Sequence, residues 1–192
     1  MINVRMHGRG GQGVVATAEI IALAAFENGW FCQAFPAFGV ERSGAPISAF
    51  ARLSNEPIVT REQIYNPQIV LVADATLLNS IDISFGANKD TIFLVNSNQA
   101  KKELIKTMKS SKKQSFIPQE KNIKTIDATS IALKIFQKNL NNTALLGALS
   151  SFAPFTDLNS VAKAISEKFI DKGPDIIKKN ILASREAAKQ LQ

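Results

Sequence analysis

The sequence predicts an α/β fold, in which a single domain over residues 1–192 has a largely parallel sheet flanked by helices and a helical C-terminus. Three observations predict it. Strand-like and helix-like segments alternate along the chain, two strand-like runs are apolar on both faces, and a glycine-rich turn follows the first strand. The length suits one large domain, and 45% hydrophobic residues are enough to build its core.

The chain opens with a strand, a tight turn and the start of a helix. Four of its ten glycines fall within residues 8–13, directly after an apolar strand, where the backbone needs positive φ or close approach. Backbone N–H groups and the positive end of a helix favour negative charge, so this turn is predicted to face a partner or an anion. Its residues are Gly8, Arg9, Gly10, Gly11, Gln12 and Gly13. The alternative is that the glycines serve only the close packing of helix on strand.

The same glycines leave a nucleotide-binding alternative open. Gly8, Gly10 and Gly13 fit the spacing of the dinucleotide fingerprint, which also needs an acidic residue at the end of the second strand. The second apolar run, residues 30–35, ends without an acid, and no Gly-Lys-Ser or Gly-Lys-Thr follows the turn. A stand-alone Rossmann-like nucleotide-binding protein is therefore the weaker hypothesis.

The remaining elements follow from hydrophobic periodicity. The spacing predicts a helix from Val14 to Phe26, with a stop at Asn28 and Gly29. Further strands are predicted at 47–53, 69–73, 91–95 and 123–127, and further helices at 130–139, 143–152, 159–169 and 174–191. Ligands and partners of parallel sheets meet the loops at the carboxyl ends of strands. The loops after these strands are therefore the region to inspect.

Composition limits the chemistry that this chain performs alone. The single cysteine, Cys32, can hold neither an iron–sulfur cluster nor a structural zinc, and it is predicted to be a buried core thiol. The single histidine, His7, has no recognisable catalytic partner, so neither catalytic nor metal-binding residues are predicted. No stretch is long and apolar enough to cross a membrane, and we expect a cytoplasmic protein without a membrane partner.

The formal charge of +7 is concentrated in one region. Residues 101–124 contain eight lysines and two glutamates. The centre, residues 109–114, lacks apolar periodicity and aromatic residues, which predicts a solvated loop rather than a nucleic-acid surface. Electrostatic docking of an acidic partner is the alternative, and a nucleic-acid adaptor is a third hypothesis for the whole chain.

A loop rich in proline, glycine and phenylalanine follows the second predicted strand. Residues 34–46 contain two prolines, two glycines and two phenylalanines, which predicts a rigid, shaped surface. Its predicted interface residues are Phe38, Glu41, Arg42, Gly44, Ala45 and Pro46. Phe35 and Phe38 could instead fold back into the core.

Four motifs together resemble one family. The segments 7–13, 33–46, 63–67 and 142–148 are similar in order to the gamma subunit of 2-oxoacid:ferredoxin oxidoreductases, over about residues 1–190. The resemblance implies a role in coenzyme A-dependent oxidative decarboxylation, which yields acyl-CoA, carbon dioxide and reduced ferredoxin or flavodoxin. The motif Glu-Arg-x-Gly-Ala-Pro from Glu41 most resembles the pyruvate enzymes, which make acetyl-CoA, although Ser43 replaces an arginine common there. A 2-oxoglutarate enzyme is the alternative.

The resemblance also implies partners and cofactors. The partners are the alpha, beta and ferredoxin-like delta subunits, with ferredoxin or flavodoxin as the acceptor of the complex. Thiamine diphosphate, Mg²⁺, 4Fe–4S clusters and coenzyme A are implied on or with other subunits, and no cofactor is implied on this chain alone. The Gly-Asp-Gly that opens a thiamine diphosphate motif is absent from the sequence. An assembly and interface role is therefore expected, rather than catalysis.

Overall fold

The computed structural model describes residues 1–37 and 43–191. Its strands are β1 (Ile2–Arg9), β2 (Phe31–Pro36), β3 (Pro46–Ser54), β4 (Ile69–Val72), β5 (Ile92–Asn96) and β6 (Ile123–Ile126). They form one sheet in the order β2-β3-β1-β4-β5-β6. Strands β1, β4, β5 and β6 pair in parallel, while β3 runs antiparallel to both of its neighbours. The predicted α/β fold with a largely parallel sheet is confirmed.

Helices cover both faces of this sheet. They are α1 (Val14–Glu27), α2 (Lys101–Ser111), α3 (Ala128–Phe136), α4 (Asn142–Ser150), α5 (Leu158–Lys168) and α6 (Pro174–Leu191), with short 3-10 turns at Ala75–Asn79, Glu120–Asn122 and Ile170–Lys172. The larger core lies between the sheet and the side of α1, α4, α5 and α6. The smaller core lies on the other face, under α2 and the first 3-10 turn. The helical C-terminus is as predicted.

Strand β3 determines where the loop that precedes it ends. It pairs with the whole of β1, from Ile2 opposite Leu53 to Arg9 opposite Pro46. Because the two strands run in opposite directions, the start of β3 lies beside the end of β1. Residues 44–45, which enter β3, therefore lie beside the glycine turn that leaves β1.

The basic region is more ordered than the sequence predicted. The expectation of a loop at residues 109–114 is wrong for its first half, because α2, which buries Leu104 and Met108, continues to Ser111. The exposure to solvent expected there is present at residues 109–110. The second half is held by Gln114, whose side-chain amide donates to the Leu78 and Ile81 carbonyls, both at 2.8 Å. In the sequence, the available signal for this helix was two apolar residues spaced one helical turn apart, Leu104 and Met108.

Strand β2 lies at the edge of the sheet, and this affects two of its residues. Cys32, predicted to be buried, is only half-buried, since an edge strand has a neighbour on one side alone. Burial nevertheless raises the pKa of its thiol. Phe35 packs on Phe50, with ring centroids 5.2 Å apart.

Within residues 1–37 and 43–191, no helix is both long and apolar enough to span a bilayer.

Candidate functional site at the glycine turn

The turn between β1 and α1 requires glycine at several positions. Gly11 and Gly13 have φ values of +94° and +71°, and Gly13 is the N-cap of α1. A Cβ on Gly8 would overlap the Val14 side chain and lie 3.3 Å from the Cβ of Ala73. Positive φ and close approach are the two conditions that favour glycine. The predicted strand, turn and helix start are all present.

Hydrogen bonds tie this turn to the loop that enters β3. Gly10 donates its N–H to the Ala45 carbonyl at 2.9 Å, and Gly44 donates to the Gly10 carbonyl at 3.1 Å. Pro46 pairs with Arg9 in the β1–β3 register. The structure thus brings the predicted turn together with the described part of the predicted interface loop. Phe38, Glu41 and Arg42 lie outside the described residues.

Arg9 is the centre of a polar cluster that also contains Gln12, Asp74 and Thr76. Its Nε forms an ion pair with Asp74 Oδ2 at 2.9 Å. Its two terminal nitrogens donate to the Gly44 carbonyl at 3.1 Å and to Thr76 Oγ1 at 2.7 Å. Gln12 accepts the Arg9 N–H at 2.8 Å and donates to Asp74 Oδ2 at 3.5 Å. We call this group the Arg9–Asp74 cluster.

Asp74 is held as a carboxylate in this cluster. Burial raises its pKa, but the hydrogen bonds from Thr76 and Arg9 and the Arg9 charge together outweigh burial. Thr76 donates its N–H and its hydroxyl to Asp74 Oδ1, at 2.9 and 2.6 Å. The net result is a pKa below the ordinary value of an aspartate. The ion pair with Arg9 therefore persists over the physiological pH range.

Gln12, Asp74 and Thr76 of the cluster, but not Arg9, line a cleft of about 380 Å³ at the carboxyl ends of β4, β5 and β6. Its lining residues are Gln12, Ala73, Asp74, Ala75, Thr76, Asn96, Ser97, Asn98, Gln99, Asp127, Thr129, Ser130 and Asn139. The charged side chains in this lining are carboxylates, and the rest are mainly amides and hydroxyls. Such a surface suits uncharged hydrogen-bonding groups better than a negatively charged phosphate. Among the described residues, no three His, Cys, Asp or Glu side chains gather into a metal-binding group.

Two asparagines fix the inner wall of the cleft. Asn96 donates to the Ala73 carbonyl at 2.9 Å, and Asn141 donates to the same carbonyl at 3.4 Å. Asn141 is 1% exposed, and its Oδ1 has no hydrogen-bond partner in the described part of the chain. The neighbouring Asn142 lies against Gly13, where its amide would be 3.0 Å from an added Cβ. The start of α4 is therefore packed directly against the glycine turn.

His7 is engaged within the fold. Arg5 Nε donates to His7 Nε2 at 3.1 Å, which leaves His7 Nδ1 as the donor to Ser48 Oγ at 3.0 Å. Burial and then the positive charge of Arg5 lower the pKa of His7 to about 3. Arg5 also donates to the carbonyls of Ile83 and Phe85, at 3.1 and 2.6 Å. The imidazole is therefore a neutral structural group in this fold.

Several residues of this site were not predicted from the sequence. Four of its residues form a hydrogen bond with a residue far away in the chain, and these are Asp74, Thr76, Asn96 and Asn141. The available signal was the polar residue that directly follows an apolar parallel strand, as Asp74 follows residues 69–73. That signal marks a strand end, but it does not tell which other side chain the polar group will meet.

The profile of the family described as pyruvate ferredoxin/flavodoxin oxidoreductase matches residues 3–190. The chain belongs to this family. It is 41% identical to the pyruvate/ketoisovalerate oxidoreductases common subunit gamma of Pyrococcus furiosus, over all of this chain and 98% of that protein. It is also 41% identical to pyruvate synthase subunit PorC of Methanothermobacter marburgensis, with the same coverage of both chains.

A solved structure agrees with this assignment. The crystal structure of pyruvate oxidoreductase subunit PORC from Thermotoga maritima aligns with a TM-score of 0.80 at 35% identity, over 98% of this chain and 95% of that one. The resemblance inferred from the sequence motifs is confirmed. The chain is the gamma subunit of a multi-subunit 2-oxoacid:ferredoxin oxidoreductase, which replaces the stand-alone nucleotide-binding and nucleic-acid adaptor hypotheses.

Proposed function

We propose that this gamma subunit supports the oxidative decarboxylation of pyruvate with coenzyme A in the cytoplasm. The products are acetyl-CoA, carbon dioxide and reduced ferredoxin or flavodoxin. The names of the similar subunits support pyruvate first and ketoisovalerate second, ahead of 2-oxoglutarate. The alpha, beta and ferredoxin-like delta subunits would carry thiamine diphosphate, Mg²⁺ and the 4Fe–4S clusters, since this chain has one cysteine.

The role proposed for this chain is assembly rather than catalysis, and the linkage between turn and loop carries that proposal. Gly10, Gly44 and Ala45 exchange two backbone hydrogen bonds, and Arg9 binds the Gly44 carbonyl. The backbone groups of Gly10 and the Arg9 side chain are thus used inside the subunit, where they hold residues 44–45, and are not free to bind a small substrate. Chain that is already held in place, as Gly44 and Ala45 are, loses less conformational entropy when a partner binds, which favours assembly.

Purification of the assembled enzyme tests the substrate. The tagged subunit is isolated anaerobically from its own cells, and coenzyme A-dependent reduction of methyl viologen is measured with pyruvate, ketoisovalerate and 2-oxoglutarate. We expect copurified partner subunits and the highest kcat/KM with pyruvate. A preference for 2-oxoglutarate would overturn the substrate assignment, and a chain without partners or activity would overturn the proposed function.

Substitution of Arg9 tests the assembly role. Arg9→Ala removes the ion pair to Asp74 and the hydrogen bond to Gly44, so we expect a folded subunit that enters the complex poorly. Lys163→Ala is the matched control, because it removes the ion pair of an exposed cation with Glu27 between α5 and α1. Circular dichroism verifies folding, and the subunit ratio after affinity purification gives the incorporation. Full incorporation of Arg9→Ala with lost activity would contradict an assembly role.

A further inference from the structure

One face of α2 carries much of the positive charge of this subunit. Lys102, Lys106 and Lys109 are exposed on this face, while Leu104 and Met108 on the opposite side are buried in the smaller core. The three lysines lie four and three residues apart, which places them in one row along the helix. We call this row, together with Ile105 between its members, the basic face.

The lysines of the basic face form no ion pair within the described part of the chain. The four ion pairs found in residues 1–37 and 43–191 use Arg9, Lys163, Lys168 and Lys189 as cations. None of them involves a lysine of α2. Like charges three or four residues apart destabilise an isolated helix by about 0.2–0.5 kcal/mol per pair. Glu103, three residues before Lys106, offsets part of this cost, and an opposite charge on a partner would remove the rest.

The basic face also has an apolar centre. Ile105 lies in a shallow, open hollow of about 450 Å³ whose rim consists of Lys102, Lys106, Lys109 and Ser110. Protein interfaces commonly combine an apolar centre with a polar rim. Because this centre is small and the rim is charged, the surface suits a weak, rapidly exchanging complex better than a permanent subunit contact.

We propose that the basic face docks the acidic surface of the electron-carrier protein that the assembled oxidoreductase reduces. This inference rests on the proposed function, because it takes the carrier to be the ferredoxin or flavodoxin of that reaction. Complementary charge mainly raises the rate of encounter between two proteins. The subunit has a single cysteine and no cluster of its own, so docking here increases the local concentration of the carrier and does not set the distance for electron transfer.

The composition of the basic face favours a protein over other anionic partners. Residues 101–124 contain no arginine, and the one aromatic residue there, Phe116, packs against the smaller core. Nucleic-acid surfaces typically use arginine and exposed aromatic rings to contact phosphates and bases. A membrane-surface helix would need an exposed apolar side, whereas the apolar side of α2, with Leu104 and Met108, is buried against the sheet.

The test uses the whole complex with Lys102, Lys106 and Lys109 all changed to glutamate. Reduction of ferredoxin is compared with reduction of methyl viologen, a small acceptor that needs no protein docking. We expect the KM for ferredoxin to rise about tenfold or more at low salt, with a weaker salt dependence. The kcat and the viologen activity should remain unchanged. Direct binding of ferredoxin to the complex, at low and high salt, is measured in parallel.

The matched control makes the same change of charge on the other side of the sheet. Lys172, Lys178 and Lys179, all exposed at or near the start of α6, are changed to glutamate together. Wild-type ferredoxin kinetics in this control, with impaired kinetics in the α2 variant, would support the proposal. Equal effects in both variants, or no effect in either, would overturn it.

Other outcomes separate the competing explanations. Failure of the folded α2 variant to enter the complex would make the basic face a subunit interface and overturn the proposal. Binding of a short DNA oligonucleotide that the α2 variant loses, without a change in ferredoxin binding, would overturn it in favour of nucleic acid. Absence of viologen activity in the wild-type complex would contradict the proposed function alone, because direct ferredoxin binding still tests the docking surface.

Discussion

Two buried basic residues on β1, one charged and one neutral, show how single side chains shape this subunit. Arg5 is 5% exposed, and burial lowers its pKa to about 10, which leaves it charged at neutral pH. It contacts His7 and the carbonyls of Ile83 and Phe85, and through them joins the central strand to the segment after β4. A charged group in such a position requires its neighbour to stay neutral, and His7 is that neighbour.

The state of His7 predicts a dependence of stability on pH. Its pKa is about 3 in the folded chain and about 6.5 in an unfolded one. Between these values the unfolded chain binds a proton that the folded chain does not bind, so stability decreases as the pH falls below about 6.5. We expect wild type to lose about 2 to 3 kcal/mol more than His7→Gln between pH 7 and 4.5, as measured by urea unfolding.

Comparison with the variant isolates this contribution. Asp74, Asp82 and Asp157 have lowered pKa values and also lose stabilising interactions in acid, but they are present in both proteins. The contributions of Asp74 and Asp157 therefore cancel in the difference between wild type and variant, and the coupling of Asp82 to His7 is counted as part of the His7 effect. The same pH slope in both proteins would show that His7 is protonated in the fold or exposed to water.

At the scale of elements, α4 packs closely against α6. Gly147 lies in the middle of α4, and a Cβ on it would overlap the carbonyl group of Ser184 on α6. Thr143, one turn earlier, donates to Asn180 Oδ1 at 3.0 Å across the same interface. The helices meet at backbone distance because residue 147 has no side chain. This contact fixes the position of α4, whose start supports the glycine turn.

Gly147→Ala tests this contact. The added methyl group must move α6 away from α4, and we expect the free energy of unfolding to fall by about 2 to 3 kcal/mol, despite the better helix propensity of alanine. The control is Gly29→Ala, in the left-handed position after α1, where a Cβ meets no atom within 4 Å although φ is +79°. That control should cost only about 1 kcal/mol. Equal losses in a denaturant titration would contradict the close packing at Gly147.

At the scale of the whole molecule, the question is whether the two cores form one cooperative unit. They lie on opposite faces of the same sheet and share β4 and β5, which place alternate side chains in each core. Trp30 lies at the larger core, against Phe155 with ring centroids 6.3 Å apart. The fluorescence of Trp30 therefore reports on one face, while circular dichroism reports on all the helices.

A single domain predicts that damage to one core weakens the other. Leu104, in the smaller core, is 1% exposed, and Leu104→Ala should cost about 2 to 4 kcal/mol. We expect the unfolding midpoint by Trp30 fluorescence to fall by the same amount as that by circular dichroism. Leu133→Ala, at a side chain that is 50% exposed, should leave both midpoints nearly unchanged. An unmoved Trp30 transition in the Leu104 variant would indicate two independently unfolding units.

Several features could be predicted from the sequence because they depend on local interactions. The glycine turn follows from the backbone freedom of four clustered glycines, and α1 was predicted to end at Phe26, one residue before its observed end. Strands β4 and β5 follow from apolar runs, and α6 follows from Pro174 and its amphipathic spacing. The family resemblance rested on the same local motifs, whose order along the chain needs no knowledge of distant contacts.

Other features were decided only by the tertiary structure. Arg9 and Asp74 are 65 positions apart, and they meet because β4 pairs in parallel with β1. The loop at Gly44 reaches the turn because β3 inserts antiparallel between β2 and β1. Hydrophobic periodicity specifies which face of a strand is buried, but it specifies neither the neighbour nor the direction of that strand. Those depend on contacts between distant segments, which form only when the chain folds.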